Sequence, residues 1–201
     1  MLADTPSPRP FSTIRWTAAQ QRTMTAALDL FGMHGVSGTS LQMIADMVGV
    51  TKAAVYYQFK TKEEIVIAVA ANELAILEDA LLAAEAEPER PHARRVLLTR
   101  VIDLAVTRRR WVSTLTNDPV IIRVLGEHEP FRHFMSRLYA VLLDEREADD
   151  TVARVSAAVL SAAIAGSVVN PLVTELDDET LRTTLIQLTQ RMLDLPDPPN
   201  G

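Results

Sequence analysis

The sequence predicts an all-α fold in which a small N-terminal module of three helices is joined by a long helix to a larger helical domain. Hydrophobic residues make up 48% of the 201 residues, whereas aromatic residues make up 5% and glycines number seven. This composition favours helices packed on helices over sheets. Apolar residues also recur with the helical period of 3.6, and no segment shows the alternation that predicts a strand.

The start of the chain predicts an arm followed by one helix. Three prolines precede Trp16, so the residues up to that position are predicted to form an irregular arm. Thr17 can cap a first helix, whose end is expected near Gly32 or Gly35. The glycines at 35 and 38 then predict a turn.

A short second helix is predicted next. Thr39 or Ser40 is expected to cap it, and Gly49 is expected to end it in a left-handed conformation. Val50 is predicted to be buried in the turn that follows, between the second helix and the third.

The third helix and the long helix are predicted from their caps. Thr51 precedes the third helix, Lys52–Phe59, which spans barely two turns. Thr61 and Glu64 form a capping box ahead of the apolar run Ile65–Leu82, and this run predicts a long helix.

Six more helices are predicted after a break at Pro88–Pro91. Asn117–Pro119 and Asn170–Pro171 are further stops, because the residue before a proline is disfavoured in a helix. The predicted helices are His92–Arg109, Trp111–Thr116, Pro119–Leu125, Glu129–Glu145, Thr151–Val169 and Asp178–Leu193.

The charge of the chain is unevenly distributed. Residues 1–62 carry six basic and three acidic side chains, whereas the remainder carries 14 basic and 23 acidic ones, within a net charge of −6. All three lysines fall between positions 52 and 62. Such asymmetry is typical of a nucleic-acid-binding module attached to another domain.

The segment from Thr39 to Phe59 has the build of a helix-turn-helix, two short amphipathic helices joined by a turn that contains glycine. Its second helix begins with small or cationic side chains, so its backbone could approach base edges closely. The alternative is an ordinary helical turn with two tyrosines at its surface. The ordered series of caps, turn glycine, small positions and aromatic residues favours DNA binding.

The side chains at the end of this segment suit a polyanion. Tyr56 and Tyr57 offer hydroxyls to phosphate oxygens and ring surface to thymine methyl groups. Lys60 and Lys62 lie beside the N-terminus of the long helix, where free N–H groups and the helix dipole attract anions. We therefore predict that Lys60 and Lys62 bind phosphate.

The stretch Ala26–Ile65 resembles the N-terminal domain of the TetR-type regulators. The matching elements are the FGMHG turn, Thr39–Ser40, Ile44–Ala45, the segment GVTKAAVYYQF and Lys62–Ile65. The resemblance implies a homodimer, an all-helical C-terminal ligand domain and repression that a small molecule relieves.

The resemblance also implies roles for single residues. It implies phosphate contacts from Thr39 or Ser40, Thr51, Tyr56 and Lys62. It implies that bases are read by Lys52, Ala53, Ala54 and Tyr57. It also implies a DNA contact from Gln42. The two alanines stand where the family often has a glycine or a hydroxyl residue, which favours methyl contacts over hydrogen bonds. Gln58 stands where a histidine is common, and its role stays open.

The arm offers one further contact. Arg15, together with Arg9, could reach a minor groove. The alternative is that both arginines are disordered.

Small residues recur at helical spacing in the predicted helix Thr151–Val169, and such rows let another helix approach closely. The resemblance implies that the last two helices of each subunit form a dimer interface; the alternative is that they pack within one chain. The candidate interface residues are Ala158, Ser161, Ala162, Ala165, Leu185 and Leu188.

A ligand pocket is expected among the middle helices, because large apolar groups there are mixed with a few polar ones. The candidates are Trp111, Leu115, Asn117, Phe131, Phe134, Met135 and Leu138. For Trp111, Phe134 and Leu138, a place in the ordinary core is the alternative.

Several function classes find no support. No cysteine is present, which excludes disulfides and thiolate metal sites, and His128 and His133 are not spaced for a helical metal pair. No catalytic or cofactor motif occurs, so we expect neither an enzyme nor a cofactor. The N-terminus lacks an export signal, and the expected location is cytoplasmic, without membrane contact.

These predictions together describe a DNA-binding regulator with four segments. They are a flexible arm at 1–16, a helix-turn-helix DNA-binding domain at 17–62, a helical ligand-binding and dimerisation domain at 63–195 and a tail at 196–201. We expect a repressor that binds a palindromic double-stranded DNA operator as a homodimer and is released by a small, largely apolar effector. The alternative is a DNA-binding regulator controlled by a protein partner, with no small-molecule inducer.

Overall fold

The computed structural model of the chain describes residues 10–143 and 151–193. Within these two ranges every regular element is helical, which confirms the predicted all-α fold. The ten α-helices of these ranges are α1 Ala18–Gly38, α2 Leu41–Val48, α3 Lys52–Gln58, α4 Lys62–Ala86, α5 Arg90–Thr107, α6 Arg109–Asn117, α7 Pro119–Glu127, α8 Glu129–Leu142, α9 Thr151–Val168 and α10 Asp178–Met192. Two 3₁₀ turns, Phe11–Thr13 and Pro171–Val173, accompany them.

The predicted helix boundaries agree closely with the structure. After the proline break, each predicted start lies within two residues of the observed one, and α7 begins at Pro119 with Asp118 as its N-cap. The predicted end of α8 at Glu145 lies outside the described residues. None of the described helices is long and apolar enough to cross a membrane.

The chain divides into two compact units. The first unit comprises the residues up to Glu78 together with Asp118–Met135, and the second comprises Asp79–Asn117 and the residues from Ser136 onward. Helix α7 and the first half of α8 therefore belong with the helix-turn-helix, although they come later in sequence. The predicted segment boundaries at residues 16, 62 and 195 divide the chain by function, and they stay a prediction.

The core of the first unit is formed by α1, α2, α3, α4 and α7. Helix α2 packs against both α1 and α3, and α1 packs against α7. The side chains of this unit that are at most 1% exposed are Thr23, Ala27, Phe31, Val36, Ile44, Ala45, Val55, Ile65, Val66, Ile121 and Phe134.

The core of the second unit is centred on α5, which packs against α6, α9 and α10. Arg182 of α10 forms an ion pair with Asp103 of α5, and the Arg137 guanidinium donates to both carboxylate oxygens of Glu85 at 2.9 and 2.6 Å. The buried apolar side chains at the centre of this unit are Leu97, Leu98, Ile102, Leu142, Leu160 and Leu181.

The N-terminal arm is more ordered than predicted. Phe11 is buried, and its ring lies 5.6 Å from the ring of Phe134, centroid to centroid. Trp16 lies 6.5 Å from Phe59 by the same measure. Residues 10–16 are irregular outside the 3₁₀ turn Phe11–Thr13, as predicted, but two of their aromatic side chains contact rings of the first unit. Residues 1–9 lie outside the described ranges.

Two expectations about the turns are corrected. Helix α1 runs to Gly38 but is broken at Gly35, which has φ 69° and ψ 168°, so the predicted end near Gly35 marks a kink. Val50 is not buried but 36% exposed. Ile44 and Ala45 of α2 and Val55 of α3 are fully buried, whereas Val50, in the turn between the two helices, is not part of the core.

Candidate nucleic-acid interface

Helix α2 is delimited by two local signals. The Ser40 Oγ accepts a hydrogen bond from the Met43 N–H at 3.1 Å, as an N-cap residue does. Gly49 ends the helix with φ 77°, and the Val50 N–H donates to the Ala45 carbonyl at 2.9 Å. A side chain at Gly49 would strain this left-handed backbone, so glycine sets the angle at which the chain enters α3.

Helix α3 presents one face to the core and the other to solvent. The Thr51 Oγ1 accepts from the Ala54 N–H at 3.2 Å and caps the helix. Val55 is fully buried, and because a helix has 3.6 residues per turn, the opposite face is exposed. That exposed face carries Lys52, Ala53, Tyr56 and Tyr57.

Thr39 has a different role from the predicted one. It is 2% exposed, and its Oγ1 donates to the Gly35 carbonyl at 2.8 Å. The predicted phosphate contact through the Thr39 hydroxyl is therefore wrong, because that group is buried and already bonded. Its neighbour Ser40 is exposed and is the true N-cap of α2.

The Lys62 ammonium makes two hydrogen bonds within the chain. Its ammonium donates to the carbonyls of Val36 and Thr39, each at 2.8 Å, and so connects the first turn of α4 to the end of α1. One of its three N–H donors remains for a phosphate. The phosphate contact implied by the resemblance stays a prediction.

Gln58, whose role was open, connects α3 to α1. Its Oε1 accepts from the Thr23 hydroxyl at 3.0 Å, and its Nε2 donates to the Ala54 carbonyl at 3.3 Å. Thr23 is fully buried. Gln58 therefore fixes the orientation of α3 and does not lie among the exposed side chains.

The remaining predicted DNA contacts are exposed or half-buried. Gln42 is exposed and donates to Asp46 Oδ1 at 2.7 Å, and Ala54 is half-buried. Arg15 is exposed, and Arg9 lies outside the described residues. The exposed contacts predicted on the helix-turn-helix and on the loop after it are Ser40, Gln42, Thr51, Lys52, Ala53, Tyr56, Tyr57 and Lys60.

Asp118 was not singled out from the sequence and proves to hold the kink of α1. Its Oδ1 accepts from the N–H groups of Val120 and Ile121 at 2.8 and 3.3 Å, which caps α7. Its Oδ2 accepts from the Val36 N–H at 2.7 Å. A Cβ at Gly35 would lie 3.1 Å from that oxygen, so the bond requires a close approach that glycine permits. An Asp before a proline signals a cap, but nothing in the sequence indicates a partner 82 residues away.

The predicted pocket residues are divided between the two units. Phe131, Phe134 and Met135 belong to the first unit, and the others belong to the second. Trp111, Phe134 and Leu138 are buried, at 3%, 1% and 4% exposure, as ordinary core side chains are. Leu115, Phe131 and Met135 are half-buried, while Asn117 is exposed and donates to the Ser113 carbonyl at its own helix end.

The predicted interface residues differ in how exposed their side chains are. Ala158, Ala162 and Leu188 are exposed, whereas Ser161 and Ala165 are half-buried. The Ser161 hydroxyl is hydrogen-bonded to that of Tyr139, whose pKa is raised by burial. Leu185 is 5% exposed, so its predicted place at an interface is wrong: it faces the core of its own unit.

Three valines of α9 belong with the exposed candidates although they were not predicted. Val152, Val155 and Val159 are 65%, 56% and 51% exposed. The sequence signal was available, because these residues lie beside the small residues at helical spacing.

The comparison with known families identifies the first unit. Residues 24–69, from α1 into α4, match the family model of the bacterial regulatory proteins of the tetR family. The matched segment makes up 46 of the 201 residues, and the similarity to the tetR family is shown for that segment. The TetR-type resemblance predicted from the sequence is thus confirmed.

One curated tetR-type relative and two solved structures extend this result. RutR of Escherichia coli, an HTH-type transcriptional regulator, is 42% identical over 53 residues, which are 26% of this chain and 25% of RutR. The match thus spans about a quarter of that relative's length. FadR of Bacillus subtilis, solved with stearoyl-CoA, has a TM-score of 0.63 at 15% identity and covers 84% of this chain and 96% of its own. The SmeT–triclosan complex has a TM-score of 0.62 at 20% identity, with 92% and 98% covered. At these identities the likeness concerns the fold.

Proposed function

We propose that this chain is a tetR-type transcriptional repressor that binds a palindromic DNA operator as a homodimer and is released by a small, largely apolar ligand. The observation that carries DNA binding is the exposed face of α3. Its first turn offers Lys52 and Ala53, and its last turn offers two exposed tyrosines. Small residues allow the helix to enter a major groove, and the lysine can donate to a guanine edge.

The proposed division of roles on this surface follows the exposure of its residues. Lys52, Ala53, Ala54 and Tyr57 would read bases, while Ser40, Thr51 and Tyr56 would contact phosphates. Gln42 and Arg15 would add contacts from α2 and the arm. Lys62 would contribute its remaining N–H donor to a phosphate.

Selection of bound DNA from a random pool tests this proposal. We expect two half-sites related by a dyad and separated by one helical turn, about 34–36 Å. On the selected operator, Lys52→Ala should weaken binding by about 1–3 kcal/mol and relax the preference at one base pair. Arg100→Ala is the matched control, since it removes an exposed positive charge from α5. Recovery of no preferred sequence would contradict the proposal.

A homodimer is supported by the exposed apolar side chains of α9 and α10. The exposed members are Val152, Val155, Ala158, Val159, Ala162, Leu188 and Met192. Exposed apolar patches of this kind mark interaction sites, and small residues among them allow close helix packing. A second copy is the proposed occupant, because a palindromic operator requires two recognition helices.

Control by a small molecule is supported by an open groove in the second unit. Its volume is about 390 Å³, within the range of ligand pockets, and its lining is mostly apolar with one guanidinium, that of Arg94. The other lining residues include Leu143, Leu160, Val155 and Val159. Val155 and Val159 also belong to the exposed face of α9, so a ligand in this groove would lie at the edge of the proposed dimer interface. FadR with stearoyl-CoA and SmeT with triclosan have the same fold and hold ligands with large apolar parts, which supports this proposal.

Control by a protein partner is the second candidate. It is favoured by the burial of Trp111, Phe134 and Leu138, which makes them core residues and removes them from a pocket lining. Thermal denaturation with stearoyl-CoA and with triclosan separates the two candidates. A ligand at 100 times its dissociation constant should stabilise the protein by about 2.7 kcal/mol. No stabilisation by these or other small apolar compounds would favour the partner.

A further inference from the structure

Lys60 follows α3 and lies against both exposed tyrosines of that helix. Its ammonium nitrogen is 4.9 Å from the centroid of the Tyr56 ring and 5.5 Å from that of the Tyr57 ring. Both distances are within the reach of a cation–π interaction, about 6 Å. The same ammonium donates to the Tyr56 carbonyl at 3.1 Å. One cation therefore contacts two neighbouring rings and a main-chain oxygen.

The backbone of Lys60 is held from the other side by α4. Its N–H donates to Glu64 Oε2 at 2.7 Å, and the Glu64 N–H donates to Thr61 Oγ1 at 3.1 Å. Glu64 thus completes a variant of the predicted capping box, with Lys60 replacing Thr61 as its donor. Lys60 is consequently fixed at its backbone by α4 and at its ammonium by α3.

The location of the ammonium is favourable for a reason independent of the rings. The last four carbonyls of a helix lack helical partners, and the helix dipole places negative charge at that end. Tyr56 lies in the last turn of α3, so its carbonyl is one of these acceptors. A move of the ammonium to a DNA phosphate would break this bond and both ring contacts.

The two rings need such support. Tyr56 is 53% exposed and Tyr57 is 84% exposed, so neither is confined by packing. A free tyrosine ring would lose rotational freedom on binding DNA, and that loss reduces affinity. A cation shared by both rings restricts them before DNA arrives.

We propose that Lys60 is a positioning residue that orders Tyr56 and Tyr57 for DNA recognition and does not itself bind phosphate. This inference rests on the proposed function of α3. It replaces the phosphate role predicted for Lys60 from the sequence, which becomes one outcome of the test.

The first experiment uses the full chain without DNA, labelled in its tyrosine rings. The chain has three tyrosines, so Tyr139 serves as an internal reference. By NMR, Lys60→Met should shift or broaden the ring resonances of Tyr56 and Tyr57 and leave those of Tyr139 unchanged. Lys60→Arg should restore the first two, because a guanidinium also binds aromatic faces and carbonyls. Arg132→Met, which removes an exposed cation from α8, is the control.

The second experiment measures affinity for the operator selected by the wild-type chain, over a range of salt concentrations. Lys60→Met should weaken binding about three- to tenfold, the effect of one or two exposed cation–π contacts. The slope of log affinity against log salt should stay unchanged. Loss of a phosphate ligand would instead reduce that slope by about 0.9 for each phosphate.

Three results would overturn the inference while leaving the proposed function intact. They are unchanged Tyr56 and Tyr57 resonances in Lys60→Met, a reduced salt slope in that variant, and full operator affinity despite altered rings. A wild-type chain that selects no DNA would overturn the proposed function itself, and the inference with it. The two failures are therefore distinguishable.

Discussion

Helices α3 and α9 both expose one face, but the side chains on those faces differ. Helix α3 exposes Lys52 and Ala53 with two tyrosines, whereas α9 exposes valines and alanines such as Val155 and Val159. A surface of the first kind suits a polyanion, and its binding weakens with salt as counterions are released. A surface of the second kind suits another apolar surface, and its binding does not depend on released counterions. The difference indicates two partners of opposite chemistry, and each can be tested without the other.

The largest expected effect concerns the α9 face. Val159→Asp should weaken the proposed dimer at least about a hundredfold, because a carboxylate would be buried without a partner. Sedimentation equilibrium measures the change. Val96→Asp is the matched control, since Val96 is also exposed in the second unit but lies on α5. A variant that dimerises like the wild type would break the comparison, because the α9 face would then have no role in assembly.

The next largest expected effect is on stability and concerns Asp118, which bonds to Val36 of α1 and caps α7. Asp118→Ala removes three backbone hydrogen bonds to a carboxylate, at Val36, Val120 and Ile121, and should lower the free energy of unfolding by about 2–4 kcal/mol. Urea denaturation measures this loss.

Asp118→Asn is the informative control for that change. The amide keeps one acceptor for the α7 cap but loses the second acceptor, the one that the Val36 N–H needs. We expect it to cost roughly half as much as the alanine variant. Wild-type stability in Asp118→Asn would show that the bond to Val36 contributes nothing to α1.

A smaller effect is expected from Lys62, whose ammonium bonds to the end of α1. Lys62→Met removes the bonds to the Val36 and Thr39 carbonyls and should cost about 1–3 kcal/mol of stability, as bonds to charged groups do. It should also weaken binding to all DNA sequences alike. Thermal denaturation and gel shifts on operator and random DNA measure both effects. A loss confined to the operator would contradict this role.

The smallest effect belongs to a residue on neither surface. His128 has a buried Nδ1 without a hydrogen-bond partner in the described part of the chain, and this burial lowers its pKa despite the opposing charge of Glu129. A lowered pKa in the folded state means that the unfolded chain binds the proton more readily. Stability from this group is therefore present above the ordinary pKa near 6.5 and is lost as the pH falls below it.

His128→Gln should reduce the loss of stability between neutral and mildly acidic pH, as followed by thermal denaturation at each pH. His92→Gln, which removes an exposed histidine, is the matched control. An identical profile in His128→Gln and the wild type would refute the role of this side chain.

Much of the fold followed from local signals. Caps and stops such as Thr17, Gly49 and Thr51 act through bonds between residues a few positions apart, so the sequence alone predicts them. The face of α3 that is exposed also followed, because helical periodicity opposes Val55 to the small and cationic residues.

The errors arose where distant segments meet. Thr39 is buried at the end of α1, Val50 is exposed in the turn after α2, and Leu185 is buried in its own unit. In the arm, the rings of Phe11 and Trp16 contact the rings of Phe134 and Phe59, which lie far along the chain.

The sequence by itself determined the helices, the helix-turn-helix and the charge of its exposed face, because hydrogen bonds within a turn and the helical period depend on neighbouring residues. Only the tertiary structure decided which partners each polar side chain contacts. Lys62 bonds to two carbonyls of the α1 end, Asp118 reaches Val36 across 82 residues, and Lys60 lies against two rings. A long polar side chain can serve several partners, and its position in three dimensions selects among them.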